Sequence, residues 1–267
     1  MRRFILVITA LLFFIAGQAF AADNLSKATS KIESGISNIL NGIEETIYHA
    51  AKETGKLGLQ RESEIRKLLQ SCNTGRRPYV VDSTFIDSKG IMRFIEPEQY
   101  RKYEGSDISK QEAIINMLKI KKPRMGNAFV SVEGIKSIDI EYPVFSKRKQ
   151  FLGSVSMLIK HDELIRSVAE KIEKELGVNC MVMQKEGLIL YKTDQTQIGR
   201  NTFTDPLYKD FPELIALGKR MIKEKEGKGF YTFGTPGTKN VVKKLAVWKT
   251  IHFFNNDWII VAQKEVK

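Results

Sequence analysis

The sequence predicts an α+β fold: a long N-terminal helix followed by two tandem modules, each an antiparallel sheet flanked by helices. Three observations predict it. Residues 24–71 contain no proline and carry apolar residues at alternating spacings of three and four. From residue 79 onwards, short apolar runs alternate with turn residues, as strands do. The order helix, hairpin, helix and three strands then occurs twice, which indicates tandem modules.

The first 21 residues have the pattern of a secretory signal peptide. Arg2 and Arg3 precede an apolar run from Phe4 to Ala16, and Ala19-Phe20-Ala21 supplies the small residues of a cleavage site. The apolar core is shorter than the roughly 20 residues of a spanning helix, so we expect cleavage after Ala21. An uncleaved N-terminal anchor is the alternative. Either outcome predicts a periplasmic or extracellular protein.

Residues 22–76 are predicted to form N-terminal stalk helices. Their apolar seam consists of Leu25, Ile32, Ile36, Ile39, Ile43 and Ala50. A seam of this length packs either on a second copy, which would make a homodimer through the N-terminal helix, or on the protein's own core. Gly35 and Gly42 lie one heptad apart and would allow close backbone approach, whereas Gly55 and Gly58 are expected to mark a bend.

The first module is predicted over residues 77–161. A turn at Asp87-Ser88-Lys89-Gly90 joins two apolar runs into a hairpin, and Ser109 with Glu112 has the spacing of a capping box at a helix start. Three further strands are expected at 128–132, 137–142 and 153–159.

The second module is predicted over residues 162–267, beginning with a linker helix that ends before Gly177. A hairpin around Lys185-Glu186-Gly187 follows, and then a helix over about 212–225. Three strands near 229–234, 241–249 and 258–263 complete it.

The charge balance is strongly basic. The chain has 43 Lys plus Arg against 31 Asp plus Glu, a net charge of +12, and loss of Arg2 and Arg3 with the signal peptide would leave +10. The clusters 119–124 and 147–149 lack the interleaved aromatics of single-strand binders, and an exported protein seldom meets nucleic acid. We expect no nucleic-acid partner.

Metal, cofactor and enzyme chemistry are not expected. The two cysteines and three histidines are too few and too dispersed for a metal site, and no hydrolase or nucleotide-binding motif is present. Asp139 and Glu141 share one strand face, and we expect them to form a solvent-facing stripe rather than a catalytic pair. Cys72 and Cys180 lie in separate parts of the predicted fold, and whether they are bridged stays open.

Short sequence pieces occur in an order typical of one family. They are Val81-Asp82, residues 103–109, Lys122-Pro123, Tyr142-Pro143-Val144-Phe145, residues 151–156, residues 183–194, Ile198-Gly199-Arg200-Asn201, residues 246–250 and residues 258–261. In this order they resemble the double Cache (dCache, or PDC) extracellular sensor domains of prokaryotes, which stack two PAS-like modules behind one long helix. The resemblance covers nearly the whole chain after residue 21.

The resemblance implies that a small molecule binds between a sheet and its covering loops, usually in the membrane-distal first module, and that occupancy is transmitted to a signalling output. The chain ends at Lys267 without an output module. We therefore expect a sensor that relays occupancy to a separate membrane-bound kinase or chemoreceptor. The helix at residues 111–115 lacks the Arg-x-Trp-Tyr pattern of amino-acid-binding members, so an α-amino acid held in their manner is not expected.

Candidate ligand-binding side chains are cations and aromatics, because a pocket for a small anion needs a fixed cation and an apolar wall. In the first module they are Arg93, Tyr103, Phe129, Lys136 and Tyr142. In the second they are Tyr191, Tyr208, Tyr231 and Trp248. An exposed arginine and core aromatics are the alternatives. At the level of the whole protein, the alternatives to a sensor are an envelope scaffold without a ligand and, behind it, a hydrolase of unrecognised type.

Overall fold

A computed structural model describes the backbone of residues 2–75, 78–234 and 241–266, and side chains from Ala21 onwards. The expected signal peptide therefore lies, apart from Ala21, outside the described side chains and stays a prediction. Within the part of the chain that the structure describes, no helix combines the length and apolarity that crossing a membrane requires.

The N-terminal seam forms on a single helix, α1, Arg2–Leu57, which is followed by α2, Glu62–Asn73. The seam side chains are fully buried within the chain itself: Leu25, Ile32, Ile36, Leu40, Ile43 and Ile47. Ile39 is only partly buried, and Leu40 takes its expected place. Since the protein's own core covers this stripe, a homodimer would have to use another face of α1, and it stays a prediction.

The glycines of α1 differ in how much space surrounds them. A Cβ on Gly35 would lie 2.5 Å from Cγ1 of Val168, so this glycine permits close packing, whereas Gly42 faces open space. The helix continues through Gly55 without the expected bend. This glycine instead permits close packing, because a Cβ there would lie 2.1 Å from the carbonyl oxygen of Phe145. Gly58, with φ +79°, follows the helix end.

The first sheet has the strand order β2-β1-β6-β5-β3, with β4 pairing on β5. Its strands are β1 Val80–Asp87, β2 Met92–Glu96, β3 Arg124–Met125, β4 Phe129–Val130, β5 Lys136–Phe145 and β6 Phe151–Ile159. A 3-10 helix, Glu98–Tyr103, and α3, Glu112–Ile120, are inserted between β2 and β3. Every residue of β1 is buried, so both faces of the sheet centre are covered.

The second sheet has the order β8-β7-β11-β10-β9. Its strands are β7 Asn179–Gln184, β8 Ile189–Lys192, β9 Glu226–Gly234, β10 Val241–Phe253 and β11 Asn256–Glu265. Helices α4, His161–Leu176, and α5, Pro212–Met221, accompany it. Its core includes both tryptophans, Trp248 and Trp258. A long helix followed by two antiparallel sheets with helices confirms the predicted fold class.

The chain separates into two compact units. The first unit comprises Ile36–Ile165 and His252–Asn256, and the second comprises Met1–Gly35, Arg166–Ile251 and Asp257–Lys267. Cys72 belongs to the first and Cys180 to the second; both are buried, and neither forms a disulfide bond.

Candidate ligand-binding site

A cavity of about 40 Å³ lies against the first sheet, and strand register decides which side chains form its floor. Because side chains alternate across a strand, residues two apart share a face. One row crosses β5, β6 and β1 as Glu141, Ser156 and Thr84. The neighbouring row crosses the same strands as Asp139, Leu158 and Asp82. Three carboxylates thus reach one cavity from two strands.

These carboxylates are buried and incompletely bonded. Asp82, Asp139 and Glu141 are 2%, 4% and 0% exposed. Thr84 Oγ1 donates to Asp82 Oδ1 at 2.9 Å, and the carboxyl groups of Asp139 and Glu141 hydrogen-bond to each other when one of them carries a proton. No other described side chain donates to Asp82 Oδ2, Asp139 Oδ1 or either oxygen of Glu141. Glu133, on the turn between β4 and β5, brings a fourth carboxylate to the cavity, and its Oε1 also lacks a partner.

Burial shifts the proton affinity of these groups. It raises the pKa of Asp82 to about 8, and repulsion from Glu133 adds to the rise. Burial also raises the pKa of Asp139, and it raises the pKa of Glu141 well above the ordinary range, with repulsion from Asp139 acting in the same direction. Burial and mutual repulsion therefore both favour the protonated form of this pair.

One arginine lies beside this cluster. Arg124 of β3 is directly opposite Glu141, and its positive charge opposes the pKa rise of both Asp139 and Glu141. Its Nη1 donates to the carbonyl oxygen of Ala113 at 3.0 Å, so the guanidinium is also tied to α3. Gly126 leaves room for Asp139, since a Cβ there would lie 1.9 Å from Asp139 Oδ1. Among the described residues that line the cavity itself, none is a cation.

The rest of the cavity lining is mostly apolar. It comes from the sheet as well as from α3 and the loops, and its apolar members are Ile86, Met92, Ile108, Ile114, Phe129, Val132 and Leu158. A volume of about 40 Å³ would admit about three waters at 10–15 Å³ each. The cavity is therefore small, and its lining combines several carboxyl groups with apolar side chains.

Of the first-module candidates, Phe129 lines this cavity. Arg93 is half exposed and pairs with Asp87 at 2.7 Å. Tyr103 lies beneath Lys102 at the edge of an apolar cluster. Lys136 is exposed. Tyr142 is partly buried and packs edge-on against Tyr48 of α1. Ligand contact by these five residues stays a prediction.

The second unit holds two cavities that share Lys192 and Gln263. The larger, of about 310 Å³, is also lined by Asp194, Gln197 and Lys244. Lys192 Nζ and the hydroxyl of Tyr208 both donate to Gln197 Oε1, and Gln197 Nε2 donates to Asp194 Oδ2 at 2.7 Å. Burial and the nearby Lys244 lower the pKa of Lys192 to about 8.

The second-module candidates are all buried. Tyr208 and Tyr231 line the smaller cavity, where the hydroxyl of Tyr231 donates to Gln263 Oε1. Tyr191 donates to Glu173 Oε2 at 3.0 Å, and Trp248 Nε1 donates to the carbonyl oxygen of Glu224 at 3.2 Å. All four hydroxyl or indole groups therefore have partners within the protein.

The expectation that Asp139 and Glu141 form a solvent-facing stripe is wrong. Both are buried, because α3 and the β4–β5 turn lie over the face of β5 that these residues share. Sequence reasoning also passed over Asp82, Glu133 and Arg124 as site residues. The available signal was an acidic residue beside apolar residues of a strand: Asp139 lies between Ile138 and Ile140, and Asp82 follows two valines.

Within the described residues, no three His, Cys, Asp or Glu side chains are arranged to hold a metal ion. The geometry of the buried carboxyl groups suits a group that donates several hydrogen bonds.

The chain is similar to sensor and receptor domains of known proteins. Residues 38–161 match the family described as HK/GC/Chemotaxis protein-like, sensor domain. No curated protein sequence matches the chain. An extracellular ligand binding receptor from Desulfohalobium retbaense has 24% identity and a TM-score of 0.75 over 90% of this chain, which spans only 40% of that protein.

Two chemoreceptor domains have similar folds along most of both chains. The ligand-binding domain of the Pseudomonas aeruginosa amino acid chemoreceptor PctC, in complex with GABA, has 14% identity and a TM-score of 0.61, covering 91% of this chain and 99% of that one. The periplasmic sensory domain of the Campylobacter jejuni chemoreceptor Tlp1 has 11% identity and a TM-score of 0.56, covering 92% and 93%. The predicted resemblance is confirmed: residues 38–161 match the kinase, cyclase and chemotaxis sensor-domain family, and the chain has the Cache-type fold of extracellular sensors.

Proposed function

We propose that the chain is an exported sensor module that binds a small molecule in the cavity of the first unit. The observation that carries the proposal is the set of buried carboxyl groups around that cavity, to which few described side chains donate. Unpartnered buried polar groups are costly, and they are retained where a ligand satisfies them. The fold, shared with ligand-binding chemoreceptor domains, supports the same function.

The proposal includes export and a signalling partner. The signal-peptide pattern and the extracellular or periplasmic origin of the similar domains support a location outside the cytoplasm. The partner that would respond to ligand binding is a membrane-bound kinase or chemoreceptor, because the matching family is named after kinases, cyclases and chemotaxis proteins. No catalytic role is proposed for any side chain.

Thermal-shift screening of the purified protein against small amines, carboxylates, purines and sugars tests the proposal. A ligand at 100 times its dissociation constant should stabilise the protein by about 2.7 kcal/mol. The shift should weaken in the Glu141→Gln protein and persist in a Glu98→Gln control, whose side chain is 86% exposed. If no compound in a broad library binds, the scaffold alternative becomes the better description.

A further inference from the structure

Two basic clusters of the sequence, residues 119–124 and 147–149, meet on the surface of the first unit. The first covers the end of α3 and the start of β3, and the second forms the turn between β5 and β6. Aromatic side chains join them: Lys121 Nζ lies 5.2 Å from the centroid of the Phe151 ring, which packs edge-on against Phe145 at 5.6 Å. The basic patch is defined here by six exposed residues: Lys121, Lys122, Phe145, Lys147, Arg148 and Lys149.

We propose that the basic patch binds the surface of a phospholipid bilayer that contains anionic lipid. Its five cations would lie among the headgroups, and Phe145, which is 42% exposed, would enter the boundary between headgroups and acyl chains. None of the patch residues lines the cavities described above, so membrane binding neither requires nor excludes a ligand. It would hold the protein beside the membrane-bound partner proposed above.

The positive charges of the patch are not neutralised within the protein. In the part of the chain that the structure describes, the ion pairs of the first unit use other cations, such as Arg66 with Glu104 and Arg101 with Glu96. No described carboxylate forms an ion pair with any of the five patch cations. Like charges on neighbouring loops repel one another, and an anionic surface would relieve this repulsion.

The backbone conformation at two positions supports a role for the lysine side chains. Lys121 has φ +53° and Lys149 has φ +61°, in the left-handed region that favours glycine. Lys121 follows α3 directly, at a position where glycine is the commonest residue. A lysine is less stable than glycine in this conformation, so the fold alone does not account for the two lysines.

The turn that carries three of the cations is ordered by its own hydrogen bonds. Ser146 Oγ accepts from the backbone N–H of Arg148 at 3.2 Å and from that of Gln150 at 3.1 Å. The backbone N–H of Lys149 donates to the carbonyl oxygen of Ser146 at 2.8 Å. The three charges are therefore presented together on a closed turn.

The chemistry of the patch favours a lipid surface over a protein partner. Four of its five cations are lysine, which is depleted at protein–protein interfaces, whereas arginine is enriched there. A lysine ammonium attracts anions without fixed geometry, which suits a fluid layer of phosphates, whereas paired recognition of one carboxylate uses arginine. The exposed ring of Phe145 adds the apolar contact that membrane-surface segments combine with basic side chains.

Sedimentation with phospholipid vesicles tests the proposal. The purified protein is mixed with vesicles of phosphatidylcholine alone or of phosphatidylcholine and phosphatidylglycerol in equal amounts, and the partition coefficient is measured. We expect tighter binding to the mixed vesicles. Because the Debye length falls from about 10 Å at about 0.1 M salt to about 3 Å at about 1 M, this binding should weaken about tenfold or more over that range.

A charge-neutral variant of the turn then locates the site. It carries three substitutions made together: Lys147→Gln, Arg148→Gln and Lys149→Gln. At about fivefold for each charge, the partition coefficient should fall about 100-fold. The control makes the same change of net charge at three exposed lysines of the second unit and should bind nearly as the unmodified protein does: Lys209→Gln, Lys219→Gln and Lys223→Gln. Circular dichroism and melting of both variants are recorded first.

Two single substitutions separate membrane contact from a structural role. Phe145→Ser should lower the partition coefficient about three- to tenfold, whereas Phe230→Ser, at a 46% exposed position of the second unit, should not. Lys149→Gly should lower it about fivefold without lowering the melting temperature, because glycine adopts φ +61° readily. A lower melting temperature with unchanged partitioning would make Lys149 a structural residue and count against the proposal.

Other results would overturn the proposal outright. Equal partitioning to vesicles with and without phosphatidylglycerol, or an equal loss in the two triple variants, would exclude the patch as a membrane site. If soluble polyglutamate binds as tightly as the mixed vesicles and Phe145→Ser leaves that binding unchanged, the partner is an acidic chain rather than a lipid surface. The ligand screen is independent of these results, because the triple variant of the turn should keep the thermal shifts of the unmodified protein.

Discussion

Both units bury charged side chains beside cavities, but they treat them in opposite ways. In the first unit Asp139 and Glu141 face the cavity with oxygens to which no described side chain outside this pair donates. In the second unit Lys192 is bonded to Gln197, which is in turn bonded to Tyr208 and Asp194. One site is chemically incomplete and acidic, and the other is a closed network that contains a cation.

Whether the buried polar groups have hydrogen-bond partners distinguishes a ligand site from a structural site more clearly than cavity size does. The second unit has the larger cavity, about 310 Å³ against about 40 Å³, yet its buried polar lining is already satisfied. A satisfied network stabilises the fold, whereas unsatisfied groups lower stability until something binds them. The two sites should therefore respond oppositely to mutation.

The largest effect is expected at the centre of the second network. Gln197→Leu would leave Lys192 and the hydroxyl of Tyr208 buried without an acceptor, and we expect a loss of about 3 kcal/mol in the free energy of unfolding. Urea denaturation measures it. The control is Gln195→Leu on the same turn, where the side chain is exposed and stability should change by less than about 0.5 kcal/mol. If Gln197→Leu leaves the free energy of unfolding unchanged, the network of the second unit is not the stabilising one described here.

In the first unit we expect a substitution to increase the free energy of unfolding. Glu141→Gln removes a carboxyl group whose pKa is raised well above the ordinary range by burial, so at pH 7 we expect the ligand-free protein to become more stable. The same denaturation experiment measures the change in the free energy of unfolding, with Glu98→Gln as the exposed comparison. Destabilisation by Glu141→Gln would mean that this carboxyl group supports the fold.

The two cavities should also show opposite pH trends. The pKa of Asp82 is raised to about 8, so its contribution to stability falls as the pH rises from about 4 to 8, by at most about 1.4 kcal/mol per pH unit. The pKa of Lys192 is lowered to about 8, so its penalty is present below pH 8 and disappears as the pH rises towards about 10.4. Asp82→Asn and Lys192→Met should each remove one trend. If both variants keep the pH profile of the unmodified protein, these groups are not buried in the way described.

The smallest effect concerns the apolar wall. Phe129→Ala should reduce the affinity for a ligand bound in the first-unit cavity about three- to tenfold, because the variant lacks the apolar contact of the aromatic ring, and tenfold corresponds to about 1.4 kcal/mol. Titration calorimetry measures it. Phe230→Ala, at an exposed position of the second unit, is the matched control and should leave the affinity unchanged. Equal affinity in both variants would remove Phe129 from the site.

The sequence predicted the architecture better than it predicted the site. The three- and four-residue spacing placed the α1 seam, and turn residues placed the strands, because both patterns are local. The burial of Asp139 and Glu141 does not follow from a local pattern. Alternation along β5 shows that they share a face, but the residues that cover this face, Ile114 and Glu133 among them, come from other elements. Phe129 was the one first-module candidate that the structure places in the cavity lining.

The same limit applies to the second unit. Tyr208 and Tyr231 were singled out as aromatic candidates, but the sequence could not show that their hydroxyl groups meet Gln197 and Gln263. Pairings over separations of 11 and 32 residues depend on tertiary packing. Whether a buried polar group is satisfied can therefore be judged only once the fold is known.

The distribution of tryptophan has a spectroscopic consequence. The chain contains two tryptophans, Trp248 and Trp258, and both are buried in the second unit at 0% and 1% exposure. Intrinsic tryptophan fluorescence therefore reports on the second unit alone, while the proposed ligand site belongs to the first. A ligand of the first unit that changes this emission would have altered the surroundings of tryptophans outside that unit, a response that can be recorded without any label.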